Sequence, residues 1–314
     1  MKYKTLIDKD FSDILGQEDV KKHLKSALLS ERNIVLVGAP GIGKTTLAKN
    51  IAKLMPRIEG TLSDKVAGAP KGKLLSEKAP FVRVQGSPDL TAEDLIGDID
   101  PIKALKFGPT SKEAFSPGKI FQANNGVLFF DEINRCSEKL QNALLQALEE
   151  KKVTIGSYKV DFDADFVFIG TMNPEDTSTE PLSDVFLDRF DLIYSHYPEN
   201  LEIEKKITLK SGKNILEFPD SLLEGCLKFV RDLRIDENVE KKPSVRASIG
   251  LYERAQTHAL LSGRTKVALE DIQAILISVL SHRIRLKPSI KYLKKPEDYV
   301  QEEFEKFCEK GGCL

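Results

Sequence analysis

The chain is 314 residues long and carries 47 Lys and Arg against 48 Asp and Glu, a length that holds one α/β domain plus a smaller satellite and a balance that supplies no global field toward nucleic acid or anionic membrane. The longest apolar runs, such as Gly126 to Phe130, fall far short of the ~18 residues of a membrane span, and the polar N-terminal decapeptide does not read as a secretory signal, so the expected compartment is the cytoplasm. Cys136, Cys226, Cys308 and Cys313 show no C-x-x-C pairing and no neighbouring His cluster, which argues against a zinc site or a disulfide framework and predicts reduced thiols.

In chain order, a predicted strand over Ile34 to Val37 runs into Gly38-Ala39-Pro40-Gly41-Ile42-Gly43-Lys44-Thr45, followed by Thr46 and a helix that Pro56 stops. Arg57 to Lys78, rich in Gly, Lys and Ser, is expected as a surface excursion before a second strand, Phe81 to Val84. Pro88 to Pro117 opens with a capping box at Thr91 to Asp94 and reads as an ordered insert. A third strand, Val127 to Phe130, ends in Asp131-Glu132. The helix Ser137 to Glu150 sets Leu140, Ala143, Leu144, Ala147 and Leu148 on one face. A fourth strand, Phe166 to Ile169, leads into Gly170-Thr171-Met172-Asn173-Pro174. After Pro198 the strand-like runs stop, and helices are predicted over Leu201 to Lys210, Ser221 to Leu233, Ser244 to Leu261 and Leu269 to Arg283. The tail from Pro296 to Cys308 has the spacing of an amphipathic helix.

This alternation predicts a parallel sheet with helices on both faces over residues 1–198, including the insert at 88–117, followed by a small all-α domain over 199–314.

The segment Gly38 to Thr45 fits G-x-x-x-x-G-K-[ST] between a strand and a helix, the context in which that pattern binds phosphate. Its glycines turn backbone N–H groups inward, Lys44 reaches the β- and γ-phosphates, and the Thr45 hydroxyl can ligate magnesium. Asp131 is placed to hold that magnesium through coordinated water, and Glu132 to polarise the attacking water. Taken alone, two acids at a strand end are ordinary solvated residues. Beside the loop they read as a site for ATP and Mg2+. Asn173, at the end of the next apolar strand, is expected to contact the γ-phosphate or the attacking water.

These residues, with Leu187-Asp188-Arg189-Phe190-Asp191 and Pro243-Ser244-Val245-Arg246-Ala247, resemble the AAA+ ATPases, and within them the MoxR and magnesium-chelatase motor group. The resemblance covers most of residues 11–285, with Gly126 to Gly156 as its most specific stretch. It implies Asn173 as the sensor residue, Arg189 as a finger offered to a neighbouring subunit, and Arg246 as a lid arginine that touches the γ-phosphate. It places Gly16 and Gln17, in Ile14-Leu15-Gly16-Gln17, beside the adenine. It assigns residues 153–162 to a hairpin, with Gly156-Ser157 as its turn. The implied partners are identical subunits in a ring, expected as a hexamer, and a client or adaptor protein, a separate protein with a metal-site domain of von Willebrand A type among the candidates.

A remodelling ATPase that assembles a client, or inserts metal into it, is therefore expected first. The motor subunit of a tetrapyrrole metal chelatase is the alternative, and it requires a separate large porphyrin-binding subunit. A nucleic-acid motor ranks third. Lys151, Lys152 and Lys159 flank the hairpin and basic residues cluster between Arg283 and Lys295, but such groups are usually solvated faces. A module that binds ATP without cleaving it is disfavoured by the intact Asp131, Glu132 and Arg189.

Overall fold

Apolar strands supply the centre of a five-stranded sheet in the computed structural model, which describes residues 6–55, 79–108, 111–154, 161–174 and 182–312. Helix α1 (Glu18–Leu29) precedes β1 (Asn33–Val37), and α2 (Lys44–Leu54) follows it. Next come β2 (Phe81–Gln85) and an insert of α3 (Ala92–Ile96), β3 (Gly97–Ile99), α4 (Pro101–Phe107) and β4 (Phe115–Pro117). Helix α5 (Lys119–Gln122), β5 (Val127–Asp131), α6 (Glu138–Glu150), β6 (Lys152–Thr154), β7 (Asp161–Asp163), β8 (Val167–Met172), α7 (Asp184–Leu187) and β9 (Phe190–Tyr194) complete this part. The strand order is β2-β5-β8-β1-β9, and every pairing is parallel.

The periodicity of two explains the core. Val35, Val37, Leu128, Phe130 and Phe168 join one buried cluster, whereas Ile34, Leu36, Val127, Phe129 and Ile169 join another. Successive side chains of one strand point to opposite faces, so a sheet covered on both sides needs continuous apolar runs. Helix α6 buries Leu140, Leu144 and Ala147 in the first cluster, and α2 buries Leu47, Ala48, Ile51 and Ala52 in the second. The expected face of α6 is present, with Ala143 and Leu148 at its half-buried margin.

The insert is ordered in its described parts. Thr91 accepts from the Asp94 N–H, Asp94 accepts from the Thr91 N–H, and β3 pairs antiparallel with β4. The hairpin arms β6 and β7 pair antiparallel, while the excursion Arg57 to Lys78 and the turn Gly156-Ser157 lie outside the described residues.

Residues 196–312 belong to a second compact unit, to which Pro40–Ile42 are also assigned. It contains α8 (Leu201–Ser211), α9 (Asp220–Ile235), β10 (Val239–Lys241), α10 (Val245–Leu261), α11 (Leu269–Leu280), β11 (Arg285–Leu286), α12 (Pro288–Lys291) and α13 (Pro296–Glu309). Phe229, Leu251, Leu276, Val300 and Phe304 lie in its core, so the tail helix is part of the packing. A short antiparallel pair, β10 with β11, joins the helices and is not visible in the sequence pattern. No described helix is long and apolar enough to cross a membrane.

One expectation about cysteines is corrected. Cys136 and Cys226 are free and buried, and burial pushes their thiols up to about 11 and about 12, so both stay protonated near neutrality. Cys308 is disulfide-bonded rather than reduced.

Candidate functional site

Because all five strands run parallel, their C-terminal ends share one edge of the sheet, the side on which open α/β sheets bind ligands. The loop after β1, the acids at the end of β5 and Asn173 after β8 all fall on that edge. The topology thus brings Lys44, Asp131, Glu132 and Asn173 to one sheet edge.

The loop is shaped by glycine. Gly41 and Gly43 have φ of 76° and 98°, values that side chains with a Cβ rarely adopt. A Cβ at Gly43 would meet nothing within 4 Å, so the space beside it is open. Gly43 stands at the N-cap of α2, and no side-chain hydrogen bond caps the helix there. The Lys44 ammonium donates to the carbonyls of Gly38 at 2.6 Å and Ala39 at 2.9 Å, and so lies within the curve of the loop. Thr45 and Thr46 occupy the first turn of α2. Uncapped N–H groups, an inward lysine and a hydroxyl in the first turn form a donor set that fits a nucleotide phosphate chain with its magnesium.

The acids are held by four residues that the sequence did not single out. Thr171 donates from its hydroxyl to Asp131 Oδ1 at 2.7 Å and accepts from the Glu132 N–H at 2.9 Å. Arg83 contacts Asp131 Oδ2 at 2.6 Å, and Gln85 donates to Glu132 Oε2 at 3.0 Å. Arg135 adds an ion pair to Glu132 at 3.3 Å. Arg83 and Gln85 are two apart on a strand, hence on one face, but that Gln85 sits opposite Asp131 follows only from the strand pairing. Glu132 itself has φ 57° and ψ 55°, a left-handed conformation costing roughly 1–2 kcal/mol for an L-residue. Such strain turns the carboxylate out of the strand at the sheet edge.

The strained turn leans on Gly86, where a Cβ would stand 2.1 Å from the Glu132 carbonyl oxygen. Gly86→Ala must therefore displace Glu132. Turnover is expected to fall about 10²-fold while nucleotide affinity stays within about threefold, since misplacing a reacting group by 1 Å costs that much. Parallel kcat and nucleotide-binding titrations, with a melting curve to establish folding, check this.

Arg189 is not at this edge. It immediately precedes β9, whose Phe190 lies opposite Asn33 at the start of β1, whereas the phosphate loop leaves the other end of β1. At about 3.3 Å per residue the two positions are about 15–20 Å apart along the strand, beyond the reach of one side chain. Its guanidinium meets Glu149 on α6 and the Val185 carbonyl. An ion pair with Asp188 or Asp191 would have been the ordinary local outcome, but Asp191 instead pairs with Arg32 at 3.3 Å. Gly16 and Gln17 both have positive φ, 68° and 57°, where the chain turns into α1, and Gln17 Oε1 accepts from Ser195 at 2.9 Å. In the second unit, Arg246 is exposed in the first turn of α10. Burial, and then the like charge of Arg246, push the Arg283 guanidinium down from its ordinary value, so two cations meet at that helix start.

Residues 10–185 match the family described as "Magnesium chelatase, subunit ChlI". The chain belongs to this family of AAA+ ATPases. Residues 231–303 of this ChlI-type AAA+ chain match "AAA lid domain". The protein described as "Uncharacterized protein YeaC" of Bacillus subtilis is 30% identical over 304 residues, covering 89% of this chain and 85% of its own length. "Chaperone MoxR1" of Mycobacterium tuberculosis is 28% identical over 305 residues, with 87% and 73% covered. The solved structure of the RuvB Holliday junction branch migration motor of Thermotoga maritima shares the fold, with a TM-score of 0.51 at 19% identity over 88% of this chain and 74% of that one. The AAA+ and MoxR/chelatase resemblance read from the motifs is thus the family to which the chain belongs.

Proposed function

We propose that the protein is a ring-forming, magnesium-dependent ATPase that couples ATP hydrolysis to remodelling, assembly or metal insertion of a client protein. The observation that carries this reading is the convergence of an open, uncapped phosphate loop and a held pair of carboxylates at one sheet edge. In this reading the N–H groups of Gly38, Ala39, Gly41, Ile42 and Gly43 wrap the phosphates, Pro40 stiffens the turn between them, and Lys44 binds the β- and γ-oxygens. Thr45 and Asp131 would hold Mg2+, which supplies charge neutralisation on those oxygens when bound. Gly16 and Gln17 flank the base. Glu132 accepts a proton from, or orients, the attacking water. Gln85 and Arg135 fix its carboxylate in place. Asn173 orients the same water or the γ-phosphate. Arg246 meets the γ-phosphate from the lid, and Arg189 serves the site of a neighbouring subunit, a role supported by its distance from the nucleotide edge of its own sheet.

Lys44→Ala removes the only cation that the chain places inside the loop curve among the residues described there. Its affinity for a fluorescent ATP analogue is expected to fall at least about tenfold, the weight of one charge-assisted contact. Wild-type affinity in Lys44→Ala would overturn the phosphate-loop reading.

A second reading, the motor subunit of a metal chelatase, is favoured by the match of residues 10–185 to the ChlI family. The two readings differ in partner. Capture from the source cells with nucleotide-trapped Glu132→Gln protein separates them: a large porphyrin-binding subunit means chelatase, and a client or adaptor of von Willebrand A type means remodelling.

A further inference from the structure

The second unit holds a carboxylate that the proposed chemistry does not use. Glu204, on α8, is completely buried. Arg234 grips it with both terminal nitrogens at 2.7 Å, Ser248 donates to Oε1 at 2.6 Å, and Arg231 reaches Oε2 at 3.3 Å. Each arginine also holds backbone. Arg231 donates to the carbonyls of Pro198 at 2.9 Å and Glu199 at 3.1 Å, in the segment that opens this unit. Arg234 donates to the Pro243 carbonyl at 2.8 Å and lies 4.8 Å from the centre of the Tyr197 ring. Pro243 stands three residues before Arg246, and Ser248 two residues after it. One carboxylate therefore ties the opening segment to both flanks of Arg246. Burial opposes ionisation of Glu204, but the Arg234 contacts, with Ser248 and Arg231, outweigh it and hold the carboxyl below its usual range.

We propose that Glu204 is a positioning residue for Arg246, fixing the start of α10 to the opening segment of the lid so that Arg246 is presented to the γ-phosphate in one orientation. This rests on the reading of Arg246 as the γ-phosphate contact. Stability alone does not account for such an arrangement, because well-packed apolar replacements of buried ion pairs are often as stable or more so. What a multiply bonded carboxylate adds is a single geometry for three chain segments, α8, the opening segment and the α10 start. Arg246 is itself exposed, so a rigid base is what limits the orientational freedom it loses on meeting an anion.

The test is the preference for ATPγS over ADP, measured by displacement of a fluorescent nucleotide from the full-length protein. Glu204→Gln and Arg231→Ala are each made alone and combined with Arg246→Ala. Arg231 is partly exposed, so Arg231→Ala keeps the test decisive where Glu204→Gln fails to fold. Arg246→Ala is expected to lower the preference roughly tenfold, and the other two variants several-fold, the weight of a weakened charge-assisted contact. In the Arg246→Ala background neither should lower it further, which a merely structural role would not produce. An unchanged preference in folded Arg231→Ala, or an equal further loss in the Arg246→Ala background, overturns the proposal while leaving Arg246 intact as a contact. An unchanged preference in Arg246→Ala overturns the reading of Arg246 and the proposal with it.

Discussion

Arg189→Ala is expected to bind nucleotide normally and lose roughly 10³ to 10⁵ in turnover, the contribution of an arginine finger supplied from outside a site. The argument is geometric. Arg189 stands at the N-terminal end of β9, and ATP is proposed to bind at the C-terminal edge of the same parallel sheet. A guanidinium held by Glu149 and Val185 on that far side is out of range of its own phosphate loop, so the proposed finger would serve a second copy of the chain. Arg is suited to the task because its planar charge persists at any working pH. Mixing separates action in trans from a structural role. Lys44→Ala is expected to be inactive alone but retains Arg189, and Arg189→Ala retains its phosphate loop. With random assembly and independent interfaces, half the subunits offer a sound loop and half a sound finger, so about a quarter of interfaces should turn over. No recovery at any ratio, with mixed rings established by native mass, means that Arg189 does not act across an interface.

Glu132→Gln is expected to keep ATP binding and lose at least about 10³-fold in hydrolysis. The amide is isosteric, so it retains the left-handed turn, the Thr171 hydrogen bond to the backbone N–H and a contact with Gln85. What it loses is the negative charge and the capacity to accept a proton. Phosphate release and nucleotide titration on the same preparation check the separation. Turnover at the wild-type rate would remove Glu132 from its role.

Much of this was legible because of a physical rule that the sequence obeys openly. Strands covered on both faces must be continuously apolar, so Ile34 to Val37, Val127 to Phe130 and Phe166 to Ile169 stand out, and the loop and acids at their ends follow. The edge strand β9 did not stand out as a strand. Asp191 interrupts its apolar run, which an edge position tolerates because one flank carries no further strand, and there it pairs with Arg32. The residues that hold the acids were hidden for another reason. Arg83, Gln85 and Thr171 lie 48, 47 and 40 positions from the atoms they bond, and only the strand order reveals that β2 and β8 flank β5. The Glu204 network was equally silent, since a glutamate in an amphipathic helix reads as a solvated residue until its partners are seen. The disulfide at Cys308 escaped because four scattered cysteines carry no spacing signature.

The central claim is that the chain hydrolyses ATP with magnesium at the edge defined by Lys44, Asp131 and Glu132. Continuous measurement of phosphate release from saturating ATP by the full-length wild-type protein tests it most directly, with matched samples containing EDTA, Lys44→Ala or Glu132→Gln. Sustained release that stops in all three matched samples is the predicted result. Release by the wild type no faster than by Glu132→Gln, in a folded preparation that binds ATP, would contradict it.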